Sequence, residues 1–257
     1  MKILAFHAHP DDAEALAGGT LALLAGQGHE VAIATMTPGD CGSGEHAPEQ
    51  IAAIRRREAA TAAALLNAKY ICAEFRDLAI FNDEPSRRRV AEILRRTRPD
   101  VVLAASPQDS QCDHRAAANL VLDSLYAAAL PNYRTGAPGA ASALPRIPPL
   151  YFMDTPGGVD REGCPVVPDF VVDIGLAFSR KQRMLAQHRS QREWLSQFLG
   201  IDDTLARMER WARQTGALAG VEFGEGFRRC RGQGYPQEPL LEELLGGGDA
   251  VRAVVGR

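Results

Sequence analysis

Short apolar runs alternate with longer helical stretches along the first half of the chain. Four runs have the length of strands, and the first and the last of them have the hydrophobicity of buried strands. They span 3–6, 31–36, 70–75 and 100–105. Four longer stretches have the spacing or alanine content typical of helices, at 13–26, 48–67, 90–98 and 115–129. This order predicts βαβ units, and hence an α/β fold with a mostly parallel sheet covered by helices on both faces.

The second half of the chain has a weaker pattern. Two further strands and two further helices are predicted, at 151–154, 170–174, 176–188 and 202–218 respectively. The segment 131–149 is rich in Pro, Ala and Gly and predicts a long surface loop, either a lid over a site or a plain connection. We expect the tail after Gly246 to be frayed.

The composition limits the classes of protein. The chain has 257 residues and a net charge of −3, and it has no basic block that would bind nucleic acid or an anionic membrane. No apolar run reaches the ~18 residues of a membrane span, and the N-terminus lacks a signal-peptide pattern. Five scattered cysteines, never spaced as CxxC, indicate neither a disulfide framework nor a thiolate zinc site. We expect a cytoplasmic protein with a small-molecule partner; a homo-oligomer stays open.

A polar turn, His9-Pro10-Asp11-Asp12, follows the first predicted strand and begins the first helix. Imidazole and carboxylate groups are ligands for a divalent transition metal, and the proline stiffens the turn. One aspartate can bind a metal while its neighbour faces a metal-bound water. The alternative is a helix cap, because Asp11 and Glu14 have capping-box spacing.

A second polar loop follows the strand at 100–105. It contains Asp109 and ends in Asp113-His114, immediately before a predicted helix. A lone histidine in such a loop is more often structural than a ligand. In open α/β sheets, however, ligands bind beyond the carboxyl ends of the strands, so two such loops can meet in one crevice. Asp113 is then placed to orient an imidazole through a hydrogen bond.

These segments resemble the signatures of the LmbE-like (PIG-L) family of zinc-dependent N-deacetylases. The family's AHPDD turn is found at 8–12, and its HxDH motif at 111–114. Weaker likenesses follow in the family's order, to RxxE at 55–58, to AHxSQ at 186–191 and to a GEGF segment at 224–227. The resemblance implies a Rossmann-like three-layer sandwich with a smaller C-terminal portion.

The resemblance also implies a domain organisation, a cofactor and an activity. We expect a single domain over 1–257, with a metal-binding core at 1–130 and a C-terminal part at 131–257 that completes and caps the substrate site. One zinc ion per chain is expected. The implied reaction is hydrolysis of an N-acetyl or other N-acyl group from an amino sugar or a related small molecule.

Two roles are carried over from the family's motifs, position by position. His9, Asp12 and His114 match the zinc ligands of the family. Asp11 matches its general base, which would take a proton from the attacking water and return it to the departing amine.

The roles of the other candidate site residues have alternatives. Arg55 and Asp109 are expected to bind substrate, although Arg55 could equally be a solvated helix residue. The first histidine of HxDH is replaced by Gln111, whose amide donates a hydrogen bond but carries no positive charge. Stabilisation of the oxyanion then depends on the metal together with Gln111 or His188. His188 could instead be a buried, satisfied imidazole.

Three alternatives belong to other classes of protein. Two histidines and a carboxylate also form the facial triad of non-haem Fe(II) oxygenases, but those enzymes are commonly all-β. A hydratase on the same scaffold would be favoured by loss of the HPDD turn, which is intact. A nucleotide-binding module needs a GxGxxG loop after the first strand, where the metal-ligand residues stand instead.

Overall fold

Eight strands form one sheet in the computed structural model, which describes residues 1–200, 203–246 and 250–254. In chain order they are β1 (Lys2–His7), β2 (Glu30–Thr35), β3 (Lys69–Cys72), β4 (Val101–Ala104), β5 (Leu150–Met153), β6 (Phe170–Asp173), β7 (Gly224–Arg229) and β8 (Val251–Ala253). Their order in the sheet is β3-β2-β1-β4-β5-β7-β6-β8. The five strands from β3 to β5 are parallel, and β7 and β8 each run antiparallel to their neighbours.

The helices connect these strands and cover the sheet. They are α1 (Asp12–Gly26), α2 (Pro48–Ala64), α3 (Glu84–Thr97), α4 (Cys112–Ala128), α5 (Phe178–Leu185), α6 (Arg189–Leu199), α7 (Thr204–Ala217) and α8 (Leu240–Leu244). Apolar residues of α1, α5 and α7 pack on one face of the sheet. Those of α3 and α4 pack on the other face. The expected three-layer α/β fold with a mostly parallel sheet is therefore confirmed.

Two helices in the first half begin earlier than their apolar pattern predicts. Helix α3 begins at Glu84 rather than at residue 90, because the carboxylate of Asp83 caps it by accepting a hydrogen bond from the Ser86 N–H (2.9 Å). Helix α4 begins at Cys112, so Asp113 and His114 lie in its first turn. The polar first turn of each helix hid its start from a pattern based on hydrophobicity.

The second half differs more from the prediction. The pattern missed α6, α8, β7 and β8. The expectation of a frayed tail is wrong for 251–253, because β8 pairs with β6. The rest of that predicted tail includes residues outside the described ones. Residue 202, where a helix was predicted to begin, also lies outside them. A strand as short as β8 depends on its neighbour for stability and gives little periodic signal.

The loop at 131–149 is irregular, as predicted, but it is not a lid. It packs on α3 and α4, where the Thr135 hydroxyl donates to Glu92 (2.7 Å) and the Leu144 N–H donates to the Ala128 carbonyl (3.0 Å). It contributes no residue to the pocket described below. No helix among the described residues has the length and apolar character needed to cross a membrane.

Candidate metal centre and active site

The two polar loops meet at the carboxyl edge of the sheet. Strands β1 and β4 are parallel neighbours, with Phe6 paired to Ala104. The chain leaves them in opposite directions, since β2 and β3 lie beyond β1 and β5 lies beyond β4. Such a topological switch point opens a crevice between the loops that follow the two strands. The HPDD turn and the 106–114 loop form the walls of that crevice.

Two imidazoles and one carboxylate cluster there. Asp12 Oδ2 lies 3.3 Å from His9 Nδ1 and 3.3 Å from His114 Nε2. The backbone N–H of His9 donates to the same oxygen (2.8 Å), which fixes the turn. His114 Nε2 is buried and has no hydrogen-bond partner among the described residues. This donor set suits a divalent transition metal, so the residues present fit the metal that the resemblance implies.

The other nitrogen of each imidazole lies within hydrogen-bond distance of a second carboxylate. His9 Nε2 lies 3.0 Å from Asp113 Oδ2, and His114 Nδ1 lies 2.8 Å from Asp109 Oδ2. Metal-binding histidines are typically oriented in this way. Asp109, expected to bind substrate, is fully buried against His114, so the structure places it behind the imidazole. Its predicted contact with substrate stays untested.

His7 was missed by the sequence reasoning. It is the last residue of β1, is fully buried, and has Nδ1 2.7 Å from Asp12 Oδ2. His7, Asp12 and His114, rather than the expected set with His9, have ligand atoms close enough together to hold one metal ion. His7 and His9 both stand beside the Asp12 carboxylate. The signal was a second histidine two residues before the HPDD turn.

Further carboxylates support His9 from outside the cluster. Asp77 Oδ1 lies 3.8 Å from His9 Nε2, and the two groups form a second set with metal-ligand spacing together with Asp113. These carboxylates already accept hydrogen bonds, Asp77 from Thr37 and from Cys41, and Asp113 from the Leu78 N–H. No sequence motif indicated Asp77, which lies in the loop between β3 and α3.

The carboxylates control the charge of the imidazoles. Burial alone would lower the pKa of His9, but hydrogen bonds with Asp113 and Asp12 outweigh it and raise the pKa to about 9. Burial likewise opposes the raised pKa of His114, which Asp12 and Asp109 bring to about 10. His7 differs, because burial dominates and lowers its pKa. The carboxylates thus favour the protonated forms of His9 and His114, whereas burial favours the neutral form of His7.

Asp11 has a strained backbone and a perturbed carboxyl. Its φ of 99° is in the left-handed region that non-glycine residues rarely adopt. It makes no side-chain cap to α1, so the capping alternative is wrong. Burial raises the pKa of Asp11 to about 6; Arg55 opposes this rise and the charge of Asp12 adds to it.

Arg55 holds this turn in place. Its guanidinium donates to the carbonyls of Pro10 (2.8 Å) and Gly39 (3.2 Å) and lies 3.5 Å from Asp11 Oδ1. Only 2% of Arg55 is exposed, so the alternative of a solvated helix residue is wrong. It lines the pocket with its remaining surface, and its contact with substrate stays a prediction.

The two other predicted catalytic residues lie at different depths. Gln111 precedes α4, is exposed, and lines the pocket. His188 is 1% exposed and does not line it; His188 Nε2 lies 3.2 Å from Glu14 Oε1. Burial opposes the raised pKa of His188, which the charges of Glu14 and Asp11 produce. His188 is therefore placed to act on Asp11 through charge.

The opposite wall of the pocket comes from α6 and α7. It is formed by Gln191, the last residue of the AHxSQ segment, and by residues that no motif indicated, namely Trp194, Leu195, Thr204, Arg207 and Trp211. On each helix these positions recur three or four residues apart, so they share one face. The chain contains two tryptophans, and both stand in this wall.

Fold and site together define a class: α/β proteins with a candidate metal site of histidine and aspartate at the switch point of a parallel sheet. Residues 4–125 match the model of the PIG-L family, described as GlcNAc-PI de-N-acetylase. Residues 4–125 therefore carry a domain of the LmbE-like (PIG-L) family, the family that the motifs at 8–12 and 111–114 predicted.

Three known proteins are similar to this chain in sequence or in structure. The diacetylchitobiose deacetylase of Thermococcus kodakarensis is 26% identical over 244 residues, which cover 88% of this chain and 82% of that protein. The crystal structure of N,N'-diacetylchitobiose deacetylase from Pyrococcus horikoshii matches with a TM-score of 0.76 and 28% identity, over 93% of this chain and 86% of that one. The 4-oxalmesaconate hydratase of Pseudomonas putida is 28% identical over 186 residues, which cover 69% of each chain.

Proposed function

We propose that this protein is a metal-dependent amide hydrolase that removes an N-acetyl or other N-acyl group from an amino sugar or a related small molecule. The observation that carries the proposal is the position of Asp11 beside the cluster of His9, Asp12 and His114. A proton acceptor thus stands next to a candidate metal site at the floor of one pocket. The two deacetylases among the relatives support the same reaction.

We propose zinc as the metal, one ion per chain, held by His9, Asp12 and His114. The donor set supports this choice, because zinc in hydrolases takes three nitrogen and oxygen ligands and keeps a position open. A bound zinc ion would lower the pKa of a water molecule towards about 7 and polarise the amide carbonyl. The support of His9 by Asp113 and of His114 by Asp109 favours this set over one with His7.

The side chains of the chain handle the protons and the charge. Asp11 accepts the proton of the attacking water at a carboxylate oxygen and later donates it to the departing amine. Arg55 fixes the orientation of Asp11 and limits the rise of its pKa. The Gln111 amide, at the mouth of the pocket, donates a hydrogen bond to the oxyanion.

The test compares Asp11→Asn with the unchanged protein, using amine release from a panel of N-acyl sugars and the metal content after dialysis. We expect Asp11→Asn to keep its metal and to lose about 100- to 10,000-fold in kcat, the range for removal of a general base. Near-normal turnover would exclude Asp11 as the base. No amine release from any substrate by metal-loaded protein would exclude the function.

The same measurement of metal content assigns the ligands. We expect His9→Ala and His114→Ala to lose the metal, and His7→Ala and the exposed control His46→Gln to retain it. Retention by His9→Ala together with loss by His7→Ala would transfer the ligand role to His7. Iron instead of zinc, with oxygen consumption, would support the oxygenase alternative.

A hydratase is the second candidate, because one relative carries that activity in its name. It would add water to a carbon–carbon double bond, so the absorbance of a conjugated enoate would fall while no amine appeared. Parallel assays of the same preparation therefore separate the two candidates.

We also propose that the protein acts in the cytoplasm on a small molecule. All five cysteines are free, which fits a reducing compartment. Fractionation of the native cells would locate it.

A further inference from the structure

The pocket has two chemically different ends. The end at the sheet is acidic, with carboxylates on its floor and side: Asp11, Asp12, Asp77, Asp109 and Asp113. The wall from α6 and α7 has tryptophan rings and one cation, Arg207. Thr204, Arg207 and Trp211 lie on the same face of α7, at spacings of three and four residues.

Arg207 has no carboxylate within ion-pair distance among the described residues, although the charge of Asp11 acts on it from farther away. Its guanidinium carbon lies 4.7 Å from the centre of the Trp211 ring, which holds the side chain flat against the wall. Its Nε is buried and has no hydrogen-bond partner within the part of the chain that the structure describes. Across the described parts of the chain, Arg207 forms no hydrogen bond and no ion pair with a carboxylate.

Two other arginines, Arg55 near the site and Arg213 on the same helix, differ in this respect. Arg55, at the acidic end, is bonded to two carbonyls and lies beside Asp11. Arg213, six residues along α7 from Arg207, pairs with Glu209 and Glu222. Burial and, after it, the neighbouring charge of Arg210 lower the pKa of Arg207, and the charge of Asp11 offsets this decrease only in part. A half-buried, stacked and unpaired guanidinium in a pocket is a binding group for an oxyanion.

We propose that Arg207 binds an anionic group of the substrate, a carboxylate or a phosphate, so that the substrate is an acidic N-acyl amino sugar rather than a neutral one. This inference rests on the proposed function for the identity of the rest of the substrate. The acidic floor repels the anionic group and Arg207 attracts it, so charge orients the molecule with its amide towards Asp12. Trp194 adds flat apolar surface to the same wall.

The test uses product amines, because they bind in the pocket without turnover. Glucosamine, glucosamine 6-phosphate and muramic acid share a sugar ring and differ in having no anion, a phosphate or a carboxylate. Since both tryptophans line the pocket, intrinsic fluorescence of the full, metal-loaded chain reports binding of each. We expect at least one anionic amine to bind about 10- to 100-fold more tightly than glucosamine, the range for a charge-assisted hydrogen bond. The anionic amine that binds more tightly than glucosamine shows whether the site takes a phosphate or a carboxylate.

Substitutions of Arg207 test whether its guanidinium causes the preference for anionic amines. Arg207→Gln should remove the preference, and Arg207→Lys should keep part of it, because the charge remains while the planar pair of donors is lost. Arg210→Gln, an exposed neighbour on α7, should keep it in full. Equal affinity for all three amines, no detectable binding of either anionic amine, or a preference that survives Arg207→Gln would overturn the proposal.

The measurement is independent of catalysis. An anion preference without amine release from any amide would refute the proposed function and leave Arg207 as an anion-binding group. Amine release from neutral sugars, with no anion preference, would refute this inference alone.

Discussion

At the scale of single residues, the site is shaped by buried charges whose partners restrain them. Asp11 keeps its unfavourable backbone conformation because Arg55 bonds to the Pro10 carbonyl beside it. His9 and His114 are each held between two carboxylates. Strain and perturbed charge are concentrated where the chemistry is proposed, as expected for a site that a folded scaffold must hold in place.

Asp154 provides a pH-dependent prediction at this scale. Burial raises its pKa to about 6, although the Thr155 N–H and the charge of Arg228 oppose the rise. The unfolded chain has the ordinary value of about 3.9, so the folded protein binds the extra proton between about pH 4 and 6. The free energy of unfolding should therefore fall, by up to about 3 kcal/mol from this group, as the pH rises through that window.

Urea unfolding at several pH values measures this effect. In Asp154→Asn, the free energy of unfolding should fall less between about pH 4 and 6 than in the unchanged protein. In the exposed control Asp123→Asn, it should fall as much as in the unchanged protein. Curves for Asp154→Asn and the unchanged protein that run parallel from pH 4 to 6 would contradict the assignment.

At the scale of elements, helix α1 sets the position of the HPDD turn, because the turn continues into its first residues. Its middle lies close to the C-terminal part of the fold. Glu225 of β7 accepts hydrogen bonds from the N–H groups of Gly19 (2.8 Å) and Thr20 (2.7 Å) and pairs with buried Lys181 of α5 (2.6 Å). A Cβ atom at Gly19 would lie 2.7 Å from the Cβ of Ile174. Only glycine permits this close approach.

Gly19→Ala should therefore destabilise the protein by about 1–3 kcal/mol, the usual cost of overpacking, and displace the turn that begins α1. Gly26→Ala is the matched control on the same helix, where an added Cβ meets nothing within 4 Å. That change should be neutral or stabilise by up to about 1 kcal/mol. Denaturant unfolding measures both, and equal stabilities of the two variants would refute the packing argument.

At the scale of the whole molecule, the sheet continues through both halves of the chain. β5 pairs with β4, and the apolar face of α1 packs on α5 and on residues around β6. We propose on this basis that residues 1–257 form a single folding unit, in which 131–257 is required for the fold of 1–130 as well as for the pocket wall.

The fragment 1–130 tests this proposal. It would expose the edge of β4 and the face of α1, and we expect it to aggregate or to lack a fixed tertiary structure. Dispersion of its amide NMR spectrum, compared with that of the full chain, is the measurement. A dispersed spectrum with cooperative unfolding would show two independent units.

Much of the fold and part of the site could be predicted from local patterns. Continuous apolar runs identified β1, β2 and β4, because strands buried on both faces need them. The shorter run of β3 could be recognised although β3 lies half-buried at the edge of the sheet. The HPDD turn and Asp113-His114 could be located because both follow such runs. Their likeness to the family then gave the family and fold that the structure and the comparisons bear out.

The rest of the fold and of the site depends on contacts between segments that are far apart in the sequence. His9 and Asp113 are 104 residues apart in sequence, and Ser190 and Glu58, which join α6 to α2, are 132 apart. Periodicity describes which face of an element is buried but not which element covers it. Only the tertiary structure could therefore decide that Arg55 supports the turn and that β7 lies between β5 and β6. It also decided that Arg207 lines the same pocket as Asp12 without an ion-pair partner among the described residues.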